Sequence, residues 1–428
     1  MTDSGRSTAP EHLGRSRAGV TAIFCLNGFL AALWVAHIPV ITERTGTSHE
    51  LLGGLLLLVG AAAFVGMQVC GHLIDRVGSR PTTIAAAVVL CPAMLGPVLA
   101  TDPVGLACAL ALFGFANGSL DVSMNAQAVV VERIYRRPIM SAFHGFFSVG
   151  GLLGSGAVAL GLWMQWPVVA TVAVLAGIGL VVVAVAARGI VARGGAPVSV
   201  SAQGAPGGDA DTESPQPGVP ASPDAPRARW WREVDLRRLS VMAALAFVLM
   251  LAEGTSYDWS ALHIVETFGT REAVGAIAFA SFSAAMMVAR FVVDPIAARV
   301  GPVSVVRGGA VIGAVGMVIV LVPSTPTTSS AIAAIIGWTI FGIGLAGLIP
   351  QIFTAAGNLT EHSSGRAISM VVGCGYLGML AGPAIVGVIS GHSSLRLGLT
   401  PVLIALAFAV VAAGVVAAPD RGERTSRA

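Results

Sequence analysis

Apolar positions along the chain fall into twelve runs. They lie near residues 18–41, 51–74, 82–100, 104–131, 139–162 and 167–187, and then 239–262, 273–296, 303–323, 329–354, 367–389 and 397–418. Each is close to or above the roughly 20 residues an α-helix needs to cross a bilayer, so the pattern predicts twelve membrane-spanning helices in two groups of six. Between the groups, 188–238 is rich in Pro, Gly, Ser, Ala and Asp. Such a stretch cannot bury enough apolar surface to fold and reads as a flexible tether. The expected division is a tail over 1–17, a six-helix bundle over 18–187, the linker 188–238, a second bundle over 239–418 and a tail over 419–428. The first run is too long for a signal-peptide core and has no small-residue cleavage site after it, so it is expected to stay in the membrane.

Composition excludes the main alternatives. Apolar residues make up 55% of the 428 and charged residues only 11%, against about 25% charged in an ordinary soluble domain. The 53 glycines suit closely packed membrane helices. A net charge of +3 with no basic run interleaved with aromatics gives no footing for nucleic acid. All 25 basic residues are arginine, which removes any lysine Schiff base or P-loop lysine. The five cysteines, Cys25, Cys70, Cys91, Cys108 and Cys374, lie in apolar runs with no metal-ligand spacing and read as small buried residues. No metal site and no cofactor are expected.

The arginines fix an expected orientation, because basic residues accumulate in cytoplasmic loops. With the N-terminus inside, 21 of the 25 fall in cytoplasmic segments. Only Arg44, Arg271 and Arg396 fall outside, and Arg290 lies within a run. Both termini are therefore expected in the cytoplasm. The halves also repeat. Asn27-Gly28 with His37-Ile38 recurs as Glu253-Gly254 with His263-Ile264, Phe113-Gly114 as Phe341-Gly342, and Gly150 with Gly154 as Gly378 with Gly382. The offsets of 226 to 228 suggest a duplicated six-helix unit with an axis along the membrane normal.

After the second run the chain reads Gly71-His-Leu-Ile-Asp75-Arg76-Val-Gly78-Ser-Arg80, a helix end with an acid, two arginines and a turn glycine. As a pattern alone it is a positive-inside loop. It resembles the GxxxDRxG signature loop of the major facilitator superfamily, with Ser79 where that family usually has a basic residue. Arg290, Asp294, Arg299 and Gly301 look like a degenerate second copy. The resemblance extends to FANGSLDVSMNAQAVVVE from Phe115, MSAFHGFFSVGGLLG from Met140 and AEGTSYDWSALHI from Ala252. These look like the YbjJ-type bacterial permeases near the fucose-permease-like transporters. It implies an all-α integral membrane fold of two six-helix bundles, a transporter of small solutes and gating roles for Gly71, Asp75, Arg76, Gly78, Arg80, Arg290 and Asp294. The fifth run lacks the proline, and the fourth the arginine, that drug antiporters of this superfamily carry.

Candidate chemistry sits inside the runs. Asn117, Asp121 and Asn125 are spaced i, i+4, i+8 on one helical face. An aspartate at membrane depth is costly unless it is paired or lines a wet cavity. The stripe reads as a cavity lining with Asp121 carrying a proton, or as glue between helices. His144 should lie at the depth of Asn125, as a proton relay or as a donor to a nearby carbonyl. Glu253, the repeat partner of Asn27, leads a polar face with Ser256, Tyr257 and Ser260. Asp258 and Trp259 belong nearer the outer interface, as anchors or gate. The expected activity is proton-coupled uptake (symport) of a small, sugar-like polar solute by alternating access. The proton carriers would be Asp121, Glu253 and His144, with Asn27, Asn117, Asn125, Tyr257 and Ser256 lining the path. An exporter, an uncoupled facilitator or a solute receptor could use the same scaffold; no constellation supports an enzyme. Partners are a small solute, protons and the lipid bilayer, in the cytoplasmic membrane of a bacterium, with the chain a monomer.

Overall fold

The computed structural model describes residues 8–192, 234–323, 325–360 and 364–417. Regular structure among these is helical. Twelve helices are long and apolar enough to cross a membrane: α1 (Leu13–Ile38), α2 (Leu51–Val77), α3 (Ser79–Leu99), α4 (Pro103–Tyr135), α5 (Met140–Trp163), α6 (Val168–Ala186), α7 (Leu236–Phe268), α8 (Ala273–Val300), α9 (Pro302–Leu321), α10 (Thr328–Gly357), α11 (Ser364–His392) and α12 (Leu395–Val416). One face of the molecule, here the near face, holds the start of α1, the end of α12 and the α2–α3, α4–α5, α8–α9 and α10–α11 turns. The opposite end is the far face. Most of the 188–238 linker, residues 193–233, and the 419–428 tail lie outside the described residues.

The helices end where local chemistry ends them. Asp102 opens α4, accepting hydrogen bonds from the Val104 and Gly105 amides ahead of Pro103, an N-cap with proline at the first turn. The α2–α3 and α8–α9 connections are single glycines, Gly78 (φ 96°) and Gly301 (φ 80°), in a region that side chains with a Cβ rarely enter. Asp235 caps α7 at the Arg238 amide, so this helix starts a turn before the apolar run does. Three spans are interrupted: α3 at Met94 after Pro92, α10 between Leu345 and Leu348, and α12 at Leu399.

The repeat in the sequence is a repeat in the packing. α1 packs on α5 as α7 packs on α11, and α2 on α4 as α8 on α10. The halves meet through two matching pairs, α2 with α11 and α5 with α8. Glycines set the closest approaches. A Cβ on Gly150 would collide with the Cys25 carbonyl, and one on Gly378 with the Phe247 carbonyl. Gly154 and Gly382 sit one turn further along against α1 and α7. Small residues bring helices together in lipid, where apolar surface alone gives no preference for helix over hydrocarbon. Large apolar side chains such as Leu57, Val65, Val181, Ile404 and Val411 are instead exposed, as a lipid-facing rim requires.

Candidate functional site

In the first half the polar stripe of α4 points inward. Asp121, only 6% exposed, lies in the middle of the span. Asn125 donates from Nδ2 to the Asp121 carbonyl at 2.9 Å and approaches its Oδ1 at 3.5 Å. Its Oδ1 meets His144 Nε2 from α5 at 3.2 Å. The His144 ring packs on Phe24 of α1 and Phe353 of α10, so this histidine joins both halves. Tyr376 of α11 brings its hydroxyl to the Asp121 carboxyl and into the field of Glu253, yet Asp121 Oδ2 finds no hydrogen-bonding geometry. Asn117 Oδ1 and Asn27 Oδ1 are also buried without a partner among the described residues. Asn27 donates only to the Met124 sulfur, at 3.6 Å.

The second half contributes an ion pair at a similar depth. Glu253 of α7 meets Arg290 of α8 at 3.2 Å, and the Tyr257 hydroxyl donates to the same carboxylate oxygen at 3.2 Å. Arg290 is 7% exposed and donates through its other Nη to Ser148 Oγ of α5 at 2.9 Å, crossing between the halves. Tyr257 packs edge-on against Phe279 and Phe282 and keeps 36% of its surface accessible.

Arg290, within the span as its position in the run implied, is held in the interior by Glu253. Ser256 is fully buried and donates to the Ala252 carbonyl of its own helix. Trp259 lies against Gly387 towards the far end of α11, and Asp258 beside it is exposed. Arg80 stays within the first half, reaching the Ala187 carbonyl after α6 at 3.3 Å. Arg76 is exposed.

The near face is closed by acids that cap helices of the opposite half. Asp75, at the end of α2, accepts from the Gly365 amide at 2.9 Å and pairs with Arg366 at 3.4 Å, both at the start of α11. Asp294, at the end of α8, accepts from the Ser141 and Ala142 amides at the start of α5, at 3.1 and 2.7 Å. The two capping contacts obey the same pseudo-symmetry as the helices. Each satisfies orphan donors at a helix N-terminus and places a negative charge at the positive end of its dipole. Glu132 of α4 caps α5 of its own half, accepting from the Ile139 and Met140 amides at 2.7 and 2.9 Å, and reaches the other half by accepting from Thr354 of α10 at 2.8 Å. Arg133 bonds the Asn358 side chain and the Gly357 carbonyl. Sequence reasoning missed Glu132, Arg133, Arg366, Ser148 and Tyr376. Of the chain's three tyrosines, two reach the interior site, so an interior tyrosine was a readable signal. The others gave none.

Close contact at Gly71 and Gly365 lets α2 and α11 meet. A Cβ on Gly365 would lie 2.6 Å from the Gly71 carbonyl oxygen and 2.8 Å from Asp75 Oδ1. Gly365→Val should therefore hold the near face apart. In a background without the native cysteines, a cysteine at Ser369 should then react several-fold faster with a water-soluble maleimide. Unchanged reactivity would show that this contact does not set closure.

The Major Facilitator Superfamily sequence profile matches residues 241–428. An MFS-type transporter of Yersinia pestis is 34% identical over 373 residues, covering 87% of this chain and 88% of its own. The membrane protein MosC of Rhizobium meliloti is 27% identical over 374 residues, covering 86% and 83%. Among solved structures, the MFS transporter FucP in its outward conformation shares the fold with a TM-score of 0.72 at 14% identity, over 94% of this chain and 98% of its own. The E. coli fucose:proton symporter FucP in a second structure scores 0.71 at 13% identity over the same shares. With identity at this level along most of both chains, and twelve spans packed as two matching sets of six, the protein belongs to the major facilitator superfamily and is a multi-pass membrane transporter.

Proposed function

We propose that the protein is a proton-coupled permease that takes up a small polar solute by alternating access. The observation that carries this reading is a pair of carboxyls, Asp121 and Glu253, presented at mid-membrane depth by opposite halves, with the Tyr376 hydroxyl at Asp121 and within the field of Glu253. Ionisable groups at such depth are costly, and they persist where ions or solutes pass. Asp121 relays the proton, with the Asn125–His144 contact as its route, and Glu253 holds it while the solute is bound. The buried oxygens of Asn27 and Asn117, without partners among the described residues, suit the hydroxyl donors of a polar solute, and Tyr257 offers a ring for stacking. The near face is the cytoplasmic one, because arginines dominate its loops. The closed near face then corresponds to a state that admits solute from outside. A likeness of fold to a fucose:proton symporter supports the reading without naming the solute.

The test is uptake into proteoliposomes. Labelled sugars, polyols and hydroxy acids are offered with the lumen one pH unit alkaline to the bath and again with equal pH. One solute should accumulate above its external concentration only with the gradient. Equal final levels under both conditions would leave a facilitator, and accumulation driven by the reversed gradient an exporter.

A further inference from the structure

Arg290 is used in an unbalanced way. A guanidinium has five N–H donors, and its Nε and adjacent Nη form an edge that matches both oxygens of a carboxylate. Here one Nη is taken by Ser148, and Glu253 holds the other through Oε1 alone. The buried Nε has no hydrogen-bond partner among the described residues. The carboxylate-binding edge of Arg290 is thus half filled. In the first half, the buried side-chain oxygens of Asn27 and Asn117 have no partner among the described residues, and such acceptors suit hydroxyl hydrogens. The titratable and charged groups facing Glu253 are Arg290 on α8, Tyr257 on its own helix and Tyr376 on α11. Arg290 also faces His144 on α5, and Tyr376 faces Asp121 on α4.

We propose that the solute is a small hydroxylated carboxylic acid whose carboxylate takes both donors of the Arg290 edge and displaces Glu253, which then takes up a proton. This rests on the uptake reading above. Charge neutrality drives the exchange. Arg290 and Glu253 cancel in the empty site, and an arriving monoanion adds one uncompensated negative charge in a medium that tolerates none. A proton from water on the open side, bound by Glu253, restores the balance and is released when the carboxylate leaves on the other side. The Tyr257 hydroxyl, already on Glu253 Oε1, can stay with the carboxyl in either form. Solute and proton then travel together as a neutral load, one for one. A neutral sugar offers nothing to replace Glu253 on Arg290 and leaves the pair intact.

The test is calorimetric titration of the purified full-length protein with gluconate and galacturonate against glucose and galactose. It is run in two buffers of different protonation enthalpy, which counts protons taken up. An acid should bind about ten-fold or more tightly than its neutral counterpart, with one proton taken up per anion. Glu253→Gln should bind the acid more tightly and take up no proton, since the internal competitor and the acceptor are both gone. Arg290→Lys, which keeps the charge but loses the fork, should weaken the acid about ten-fold and leave neutral sugars unchanged. Equal binding of acid and neutral sugar, anion binding without proton uptake, or no binding of either acid would each overturn the proposal. Proteoliposome flux of the same acid separates the two claims: binding with proton uptake but no flux overturns the uptake reading and leaves the site assignment standing.

Discussion

Asp121→Asn should abolish concentrative uptake while leaving exchange of labelled for unlabelled solute across the membrane. The amide has nearly the shape of the carboxyl, and its oxygen can still accept from Asn125 Nδ2, so the contact at 3.5 Å and the stronger one to the Asp121 carbonyl at 2.9 Å both survive. What is lost is the ability to bind and release a proton. One proton moving down a gradient of one pH unit supplies about 1.4 kcal/mol, enough for roughly ten-fold accumulation of a solute moved with it. The variant should fall to the external concentration and stop there, with counterflow at a wild-type rate. Accumulation at the wild-type ratio would remove Asp121 from the coupling machinery. His144→Gln should be milder, because Asn125 can accept from an amide as it can from a ring N–H.

Removing Arg290 alone should be among the most destabilising single changes in the interior. Arg290→Ala leaves Glu253 as a buried negative charge whose remaining donor among the described residues is the Tyr257 hydroxyl, and it cuts the bond to Ser148 that joins α8 to α5. Breaking one side of a buried ion pair costs about 3–5 kcal/mol, much of it from the charge left behind. Adding Glu253→Gln should therefore recover a large part of the loss, since the orphaned charge is gone. A single variant as stable as wild type, or a double variant no better than the single, would show that the pair carries little interaction energy.

The carboxylate caps at the near face explain how a small set of contacts can hold one state without locking it. Asp75 and Asp294 each satisfy backbone amides at the start of a helix from the other half. Hydrogen bonds to charged groups contribute about 1.5–3 kcal/mol each, and on opening, water takes over at these same amides. Closure is thus favourable but modest, as a rocking mechanism needs.

The twelve spans, their grouping and the internal repeat were legible in the chain because insertion into hydrocarbon is decided run by run. Each segment is long and apolar enough in isolation, and no tertiary contact is needed to know it. The same local logic placed His144 beside Asn125, since both flank one short turn, and put the α4 stripe on one inward face. It did not reach pairings that depend on two helices crossing. The motif position of Arg290 suggested a gate, but 37 residues separate it from Glu253, and only the α7–α8 packing brings the two together. Asp294 and Ser141, 153 residues apart, and Asp75 and Gly365, 290 apart, meet because two pseudo-symmetric bundles are pressed together. Sequence alone therefore determined which segments enter the membrane and which polar residues enter with them. Only the tertiary structure decided which of those residues face one another, because charge pairing and helix capping act over a few ångströms, distances set by the packing of glycine-lined helices and by no single run of residues.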